Sequence, residues 1–93
     1  MIMNTYFSNY IVKIDKLFTK DIYRSQISNK SDTESYMQTL IYTKKDNSET
    51  KYIINIYSEW HIEITVPIKN SNYLYITTLY NIEDVYNYLK IHI

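Results

Sequence analysis

A chain of 93 residues without a single glycine must make every turn from residues that carry a side chain. Glycine is the usual occupant of left-handed positions, so tight glycine turns are excluded. Type I turns or longer loops built on Asn and Asp are expected in their place. The same absence removes a whole chemistry. Phosphate loops and dinucleotide fingerprints need glycine where backbone approaches ligand, so neither can form here. Cysteine is missing as well, which excludes disulfides, thiolate zinc sites and a cysteine nucleophile. A chain this short has room for one core, so residues 1–93 are read as a single domain.

Hydrophobic spacing places the elements. Met3, Tyr6, Phe7, Tyr10, Ile11, Ile14, Leu17 and Phe18 recur at helical intervals with polar residues between them, a pattern that only Val12 breaks. An amphipathic helix is therefore predicted over about residues 3–20, ending where Asp21 would rotate onto the apolar side. Residues 21–34 are polar with scattered Ile22, Tyr23 and Ile27, and read as a long loop. From Tyr36 the period becomes two. Residues 35–45 and 51–57 read as strands around a turn at Asp46-Asn47-Ser48-Glu49. Trp60, Ile62, Ile64, Val66 and Ile68 then alternate with polar partners as one half-buried strand. They are in phase with Tyr52, Ile54 and Ile56, and a break near Ser58-Glu59 is expected, because a single strand of that length is rare. Pro67 cannot donate to a ladder, so pairing stops there or the strand end lies at an edge.

After a turn at residues 69–72, Tyr73–Thr78 reads as a last strand, apolar on both faces. Asn81 is placed to cap a final helix, with Glu83 and Asp84 in its first turn and Lys90 and His92 in its last. Ile82, Val85, Tyr86, Leu89 and Ile93 share its apolar face. The expected fold is α+β: a helix, a four-stranded antiparallel meander and a second helix, with both helices on one face of the sheet.

Charge narrows the function. Ten basic and ten acidic residues cancel, which supports neither a dedicated nucleic-acid binder nor an acidic DNA mimic. Residues 1–45 carry seven basic against four acidic side chains, and residues 46–93 three against six, so the chain is a mild dipole. The first residues lack a basic n-region, an apolar h-region and a cleavage site, and no apolar run is long enough to span a bilayer. No signal peptide, no membrane partner and a cytoplasmic location are expected.

Three groups of side chains are candidates for function. Tyr57, Glu59, His61 and Glu63 project from one face if their strand is continuous, an arrangement suited to a divalent metal or to acid–base work. The plain reading is a solvated strand face, and no metal or other cofactor is expected. Lys13, Lys16, Lys20 and Arg24 make a basic stripe along the first helix that suits a nucleic-acid backbone, with Tyr23 near enough to stack on a base. Asp15 and Asp21 dilute it, and such a stripe is more often an ordinary wet helix face. The third group is tyrosine, twelve in all. Tyr6, Tyr10 and Tyr86 have places in the core, but Tyr36, Tyr42, Tyr57, Tyr73, Tyr75, Tyr80 and Tyr88 exceed what so small a domain can bury. Surplus tyrosines favour protein interfaces, where they bury much area at low entropy cost.

Ile, Asn, Lys, Tyr, Met and Phe, all written with A/T-rich codons, supply 51 residues, whereas Gly, Ala, Pro and Arg supply two. An A/T-rich source such as a low-GC bacterium, its phage or a plasmid is expected, and codon bias explains part of the tyrosine count. The expected function is a small non-enzymatic protein-binding domain. Its contacts would come from Tyr36, Tyr42, Tyr57, Tyr73, Tyr75 and Tyr80, made with another protein or with a second copy as a homodimer. In a phage or mobile element, such domains serve as inhibitors of host defence, anti-CRISPR proteins among them, or as toxin-neutralising immunity proteins. A nucleic-acid accessory protein using the basic helix is the alternative.

Overall fold

The strands expected from Tyr36 onward begin earlier, at Tyr23. The computed structural model describes residues 5–31, 36–68 and 74–93. Its elements run α1 (Thr5–Leu17), β1 (Tyr23–Ser31), β2 (Tyr36–Lys44), β3 (Asn47–Ser58), β4 (His61–Pro67), β5 (Leu74–Leu79) and α2 (Ile82–His92). The class is α+β with an antiparallel sheet, but the sheet has five strands rather than four, in the order β1-β2-β3-β4-β5. The correction falls on the expected loop at residues 21–34. Within it, β1 pairs with β2 from Tyr23–Lys44 to Ser31–Tyr36. Among the described side chains of β1, Tyr23 packs on the core, while Arg24, Ser25, Gln26 and Ile27 are exposed. Backbone pairing rather than burial holds β1, so its sequence carries little alternation.

The first turn is shorter than expected. Lys45-Asp46 alone connects β2 to β3, and Glu59-Trp60 alone connects β3 to β4. The second of these lies at the break expected near Ser58-Glu59. Each turn is accompanied by a register shift, between Thr43 and Lys44 and between Ile56 and Ser58. Such an irregularity increases local twist, which lets residues with side chains close a hairpin that glycine would otherwise relax. Polar side chains then hold the flanks of both turns. Glu49 N–H donates to Asn47 Oδ1 at 3.1 Å, and Trp60 N–H donates to Ser58 Oγ at 3.2 Å.

The helices follow the periodicity with shorter bounds. Past Leu17 the chain tightens, with Phe18 N–H on the Asp15 carbonyl at 3.2 Å and Tyr23 N–H on the Thr19 carbonyl at 2.9 Å. Phe7, Ile14 and Phe18 are buried, with Tyr10, Ile11 and Leu17 packed at the margin, whereas Tyr6 stays exposed. Met3 lies outside the described residues. The cap of α2 forms as expected, with Asp84 N–H donating to Asn81 Oδ1 at 2.8 Å. Ile82, Val85 and Leu89 are buried, Tyr86 packs beside them, and Ile93 is exposed. These residues join Leu40, Tyr42, Tyr52, Ile54, Ile56, Ile62, Ile64 and Val66 in one core. The helices contact each other, and the Tyr6 hydroxyl ties them by donating to Glu83 Oε2 at 2.9 Å.

Strand parity follows from one bond. Lys45 N–H donates to the Ile22 carbonyl at 2.9 Å, one step beyond the Tyr23–Lys44 pair. Bonded and non-bonded pairs alternate in an antiparallel ladder. The backbone groups of Leu40 and Tyr42 therefore face β3, those of Ile53 and Asn55 face β4, and those of Ile62, Ile64 and Val66 face β5. Pro67 then aims its hydrogen-free nitrogen at β3, and the β3–β4 ladder indeed stops at Thr65, short of it. On β5 it is Leu74, Ile76 and Thr78 whose backbone groups point out of the sheet.

Candidate protein-binding surface

The tyrosines range from the core, through a half-buried margin at Tyr10, Tyr23, Tyr86 and Tyr88, to the surface. Tyr42, singled out above as a contact residue, is 1% exposed and belongs to the core. Its ring stacks on Phe18 with centroids 4.0 Å apart and planes 4° from parallel, and its hydroxyl donates to Asp15 Oδ1 at 2.9 Å. Burial, and then that carboxylate, push its phenol well above the ordinary value. The cause is register: Tyr42 pairs with Tyr52 and lies in phase with Leu40, so it sits on the buried side of β2. Phe18 also meets Tyr23 edge-on at 5.1 Å and Tyr52 at 5.3 Å, which makes a four-ring cluster where β1 joins the core. Tyr73 and the side chain of Tyr36 lie outside the described residues. Tyr57, Tyr75 and Tyr80 are the members of the set with exposed rings.

Two of those three converge at one end of the sheet. Tyr57 on β3 and His61 on β4 face each other across the hairpin, rings 4.8 Å apart. The pair Ile62–Leu79 puts Tyr80 at the level of His61, at the same end. Between them the turn presents Trp60, 71% exposed. Sequence phase alone places Trp60 inside with Ile62. It sits in the turn because the break at Ser58-Glu59 takes it out of the strand, and that break is the signal that marks it as exposed. Tyr57, Trp60 and Tyr80 thus form an aromatic end, of the residue types that carry most binding energy in protein interfaces.

The other two candidate groups survive only in part. Chain reversal at Glu59-Trp60 puts Tyr57 on the strand before His61 and Glu63, yet the hairpin folds its ring back to 4.8 Å from His61. Glu63 accepts from Asn55 Nδ2 at 3.4 Å, and Asn55 Oδ1 accepts from Thr39 at 2.9 Å, a polar row running across three strands. Among the described residues no group of three acidic or imidazole side chains is arranged to hold a metal ion, Glu59, His61 and Glu63 included. Lys13, Lys16 and Lys20 are exposed along and just past α1, with Lys13 Nζ over the Tyr10 ring at 4.6 Å. Arg24 does not extend their stripe: it projects from the opposite side of β1 to Tyr23, the residue that meets Phe18. Among the described residues no helix is long and apolar enough to cross a membrane.

Beside β5 lies a second apolar region. A depression of about 530 Å³ is lined by the cross-strand partners Val66 and Tyr75, by Ile68, and by Tyr88 and Ile91 of α2. The Tyr88 hydroxyl is sealed in its wall with no hydrogen-bond partner. Burial, and then the nearby Tyr75, push that phenol above the ordinary value. Leu74, Tyr75 and Ile76 are all more than half exposed, along a strand with no charged residue. No known protein family, curated protein or solved structure matches the chain.

Proposed function

We propose that the chain is a small non-enzymatic protein-binding domain in which both helices cover one face of the sheet and the sheet's end and margin meet the partner. The helix arrangement is supported by two cross-strand neighbours on one face: Tyr42 bonds to Asp15 of α1, and Tyr52 donates to the His92 carbonyl of α2 at 3.4 Å. The observation that carries the function is the aromatic end, where Trp60 and Tyr80 stand 71% and 68% exposed beside Tyr57. Large rings left in water add little to the fold and bury much area in a contact. The A/T-rich composition adds the biological form of that contact, a phage or mobile-element inhibitor that occupies a surface of a host defence protein.

A pull-down from a host lysate tests the reading. The wild-type chain retains a protein at near one-to-one stoichiometry, and Trp60→Ala, which leaves the thermal transition in place, loses it. Equal retention by both chains, or none by either, contradicts it.

A further inference from the structure

The outer edge of β5 has what an added strand requires and, among the described residues, lacks what sheets use to refuse one. Leu74, Ile76 and Thr78 direct their backbone N–H and C=O groups away from β4, and no strand among the described residues pairs with them. Edges are normally protected by charge, proline, a bulge or a covering element. The sequence Leu-Tyr-Ile-Thr-Thr-Leu has no charge and no proline, and its register with β4 is unbroken. The opposite edge is different: β1 carries Arg24, and the Thr19 carbonyl takes the Tyr23 N–H there.

From these features we infer that β5 pairs antiparallel with β5 of a second copy, about a two-fold axis through Ile76. This rests on the protein-binding reading and gives it an edge and an occupant. In that register Ile76 faces Ile76 of the copy, Leu74 faces its Thr78, and Tyr75 faces its Thr77. About six backbone hydrogen bonds close, two for each outward-facing residue. Leu74 and Tyr75 each meet a threonine across the axis, and no like charges meet. The far face of the sheet supplies the argument for a copy over a foreign strand. Gln26, Ile41, Ile53, Thr65 and Ile76 are successive cross-strand partners, a row with isoleucine at three of its five positions that ends in water at Ile76, 58% exposed. The two-fold joins that row to its own continuation, so Ile76, Thr65, Ile53 and Ile41 recur in reverse order without a step. On the helix side, Leu79 of the copy follows its Thr77 toward the depression walled by Tyr75, Tyr88 and Ile91. An isologous contact of this kind closes on itself and yields a dimer rather than a filament.

Light scattering on a sizing column, run over a wide concentration range, tests the pairing with two variants. Ile76→Lys places like charges opposite each other at the axis, and Ile76→Pro removes an outward N–H without touching the bonds to β4. Wild type is expected at twice the mass of one chain, and both variants at the mass of one, with far-ultraviolet dichroism unchanged in each. Arg24→Glu on the other edge should leave the dimer intact. A wild-type chain that is monomeric at every concentration overturns the inference, as does a dimer that survives both Ile76 variants or is lost with Arg24→Glu. A monomer that still captures a partner through Trp60 defeats this inference while leaving the protein-binding reading standing. A β5 dimer whose Trp60→Ala variant captures as much as wild type does the reverse.

Discussion

The sheet has two edges, and the chain treats them oppositely. At β1 the edge is anchored from within at its first residue: Tyr23 is clamped between Phe18 and Tyr52, its N–H is taken by Thr19, and among the described side chains the exposed Arg24, Ser25 and Gln26 are polar or charged, with Ile27 the apolar one. At β5 the edge is apolar and uncharged, with its first three residues in water. Both are outer strands of one meander, so topology does not distinguish them. What differs is where the strand's side chains find partners, inside the chain for β1 and outside it for β5. Substitutions at β1's anchor should therefore cost folding stability, and substitutions on β5 should cost association alone.

The largest expected effect tests the closed edge. Phe18→Ala removes the ring that holds Tyr23, Tyr42 and Tyr52 together, and a loss of about 3–5 kcal/mol in urea unfolding is expected, as for other buried phenylalanines. A loss below about 1 kcal/mol means that β1 does not depend on that cluster. Next comes Tyr42→Phe, which deletes the bond to Asp15 and should cost about 1–2 kcal/mol at neutral pH. It should also change the alkaline limb of stability. The Tyr42 phenol titrates above its ordinary value of 10.0 in the folded chain, as do Tyr52 and Tyr88. The folded state therefore holds these protons longer than the unfolded state. Their contribution is complete below about pH 10 and fades as pH climbs through the raised values. Wild-type stability should fall with that sign above about pH 10, and the slope should be shallower in Tyr42→Phe. An unchanged slope removes Tyr42 from the explanation.

Smaller effects lie toward β5. Asn81→Ala deletes the cap of α2, the helix that contacts β4 and β5, and should cost about 1 kcal/mol in the same assay. Ile76→Ala, measured where the chain is monomeric, should change stability by less than about 0.5 kcal/mol. A larger loss there shows that the open edge is packed by its own chain, and the contrast between the edges disappears.

That contrast also explains which elements are legible in the sequence. Alternation is a signal of one-sided burial, so it is strong at Ile62, Ile64 and Val66 and on the buried side of β3, and these elements lie where expected. It is nearly silent in β1, which is held by backbone bonds that any residue except proline can make, and β1 therefore reads as a loop. The cap at Asn81 is legible because capping is local chemistry. A surface position for Tyr42 follows from the excess of tyrosine in the chain as a whole, whereas burial is decided by register with Tyr52 and Leu40. Trp60 shows the converse. Its phase matches the core, but a two-residue turn lifts it out, and turn length depends on bulges that composition does not encode.

Amide hydrogen exchange, read residue by residue on the native chain, compares the two edges most directly. The outward amides of Ile76 and Thr78 are expected to be protected at high protein concentration and to lose that protection on dilution, while those of Ser25 and Ile27 on β1 exchange quickly at both. Fast exchange at Ile76 and Thr78 under every condition, or protection that ignores concentration, contradicts a β5 edge completed by a second copy.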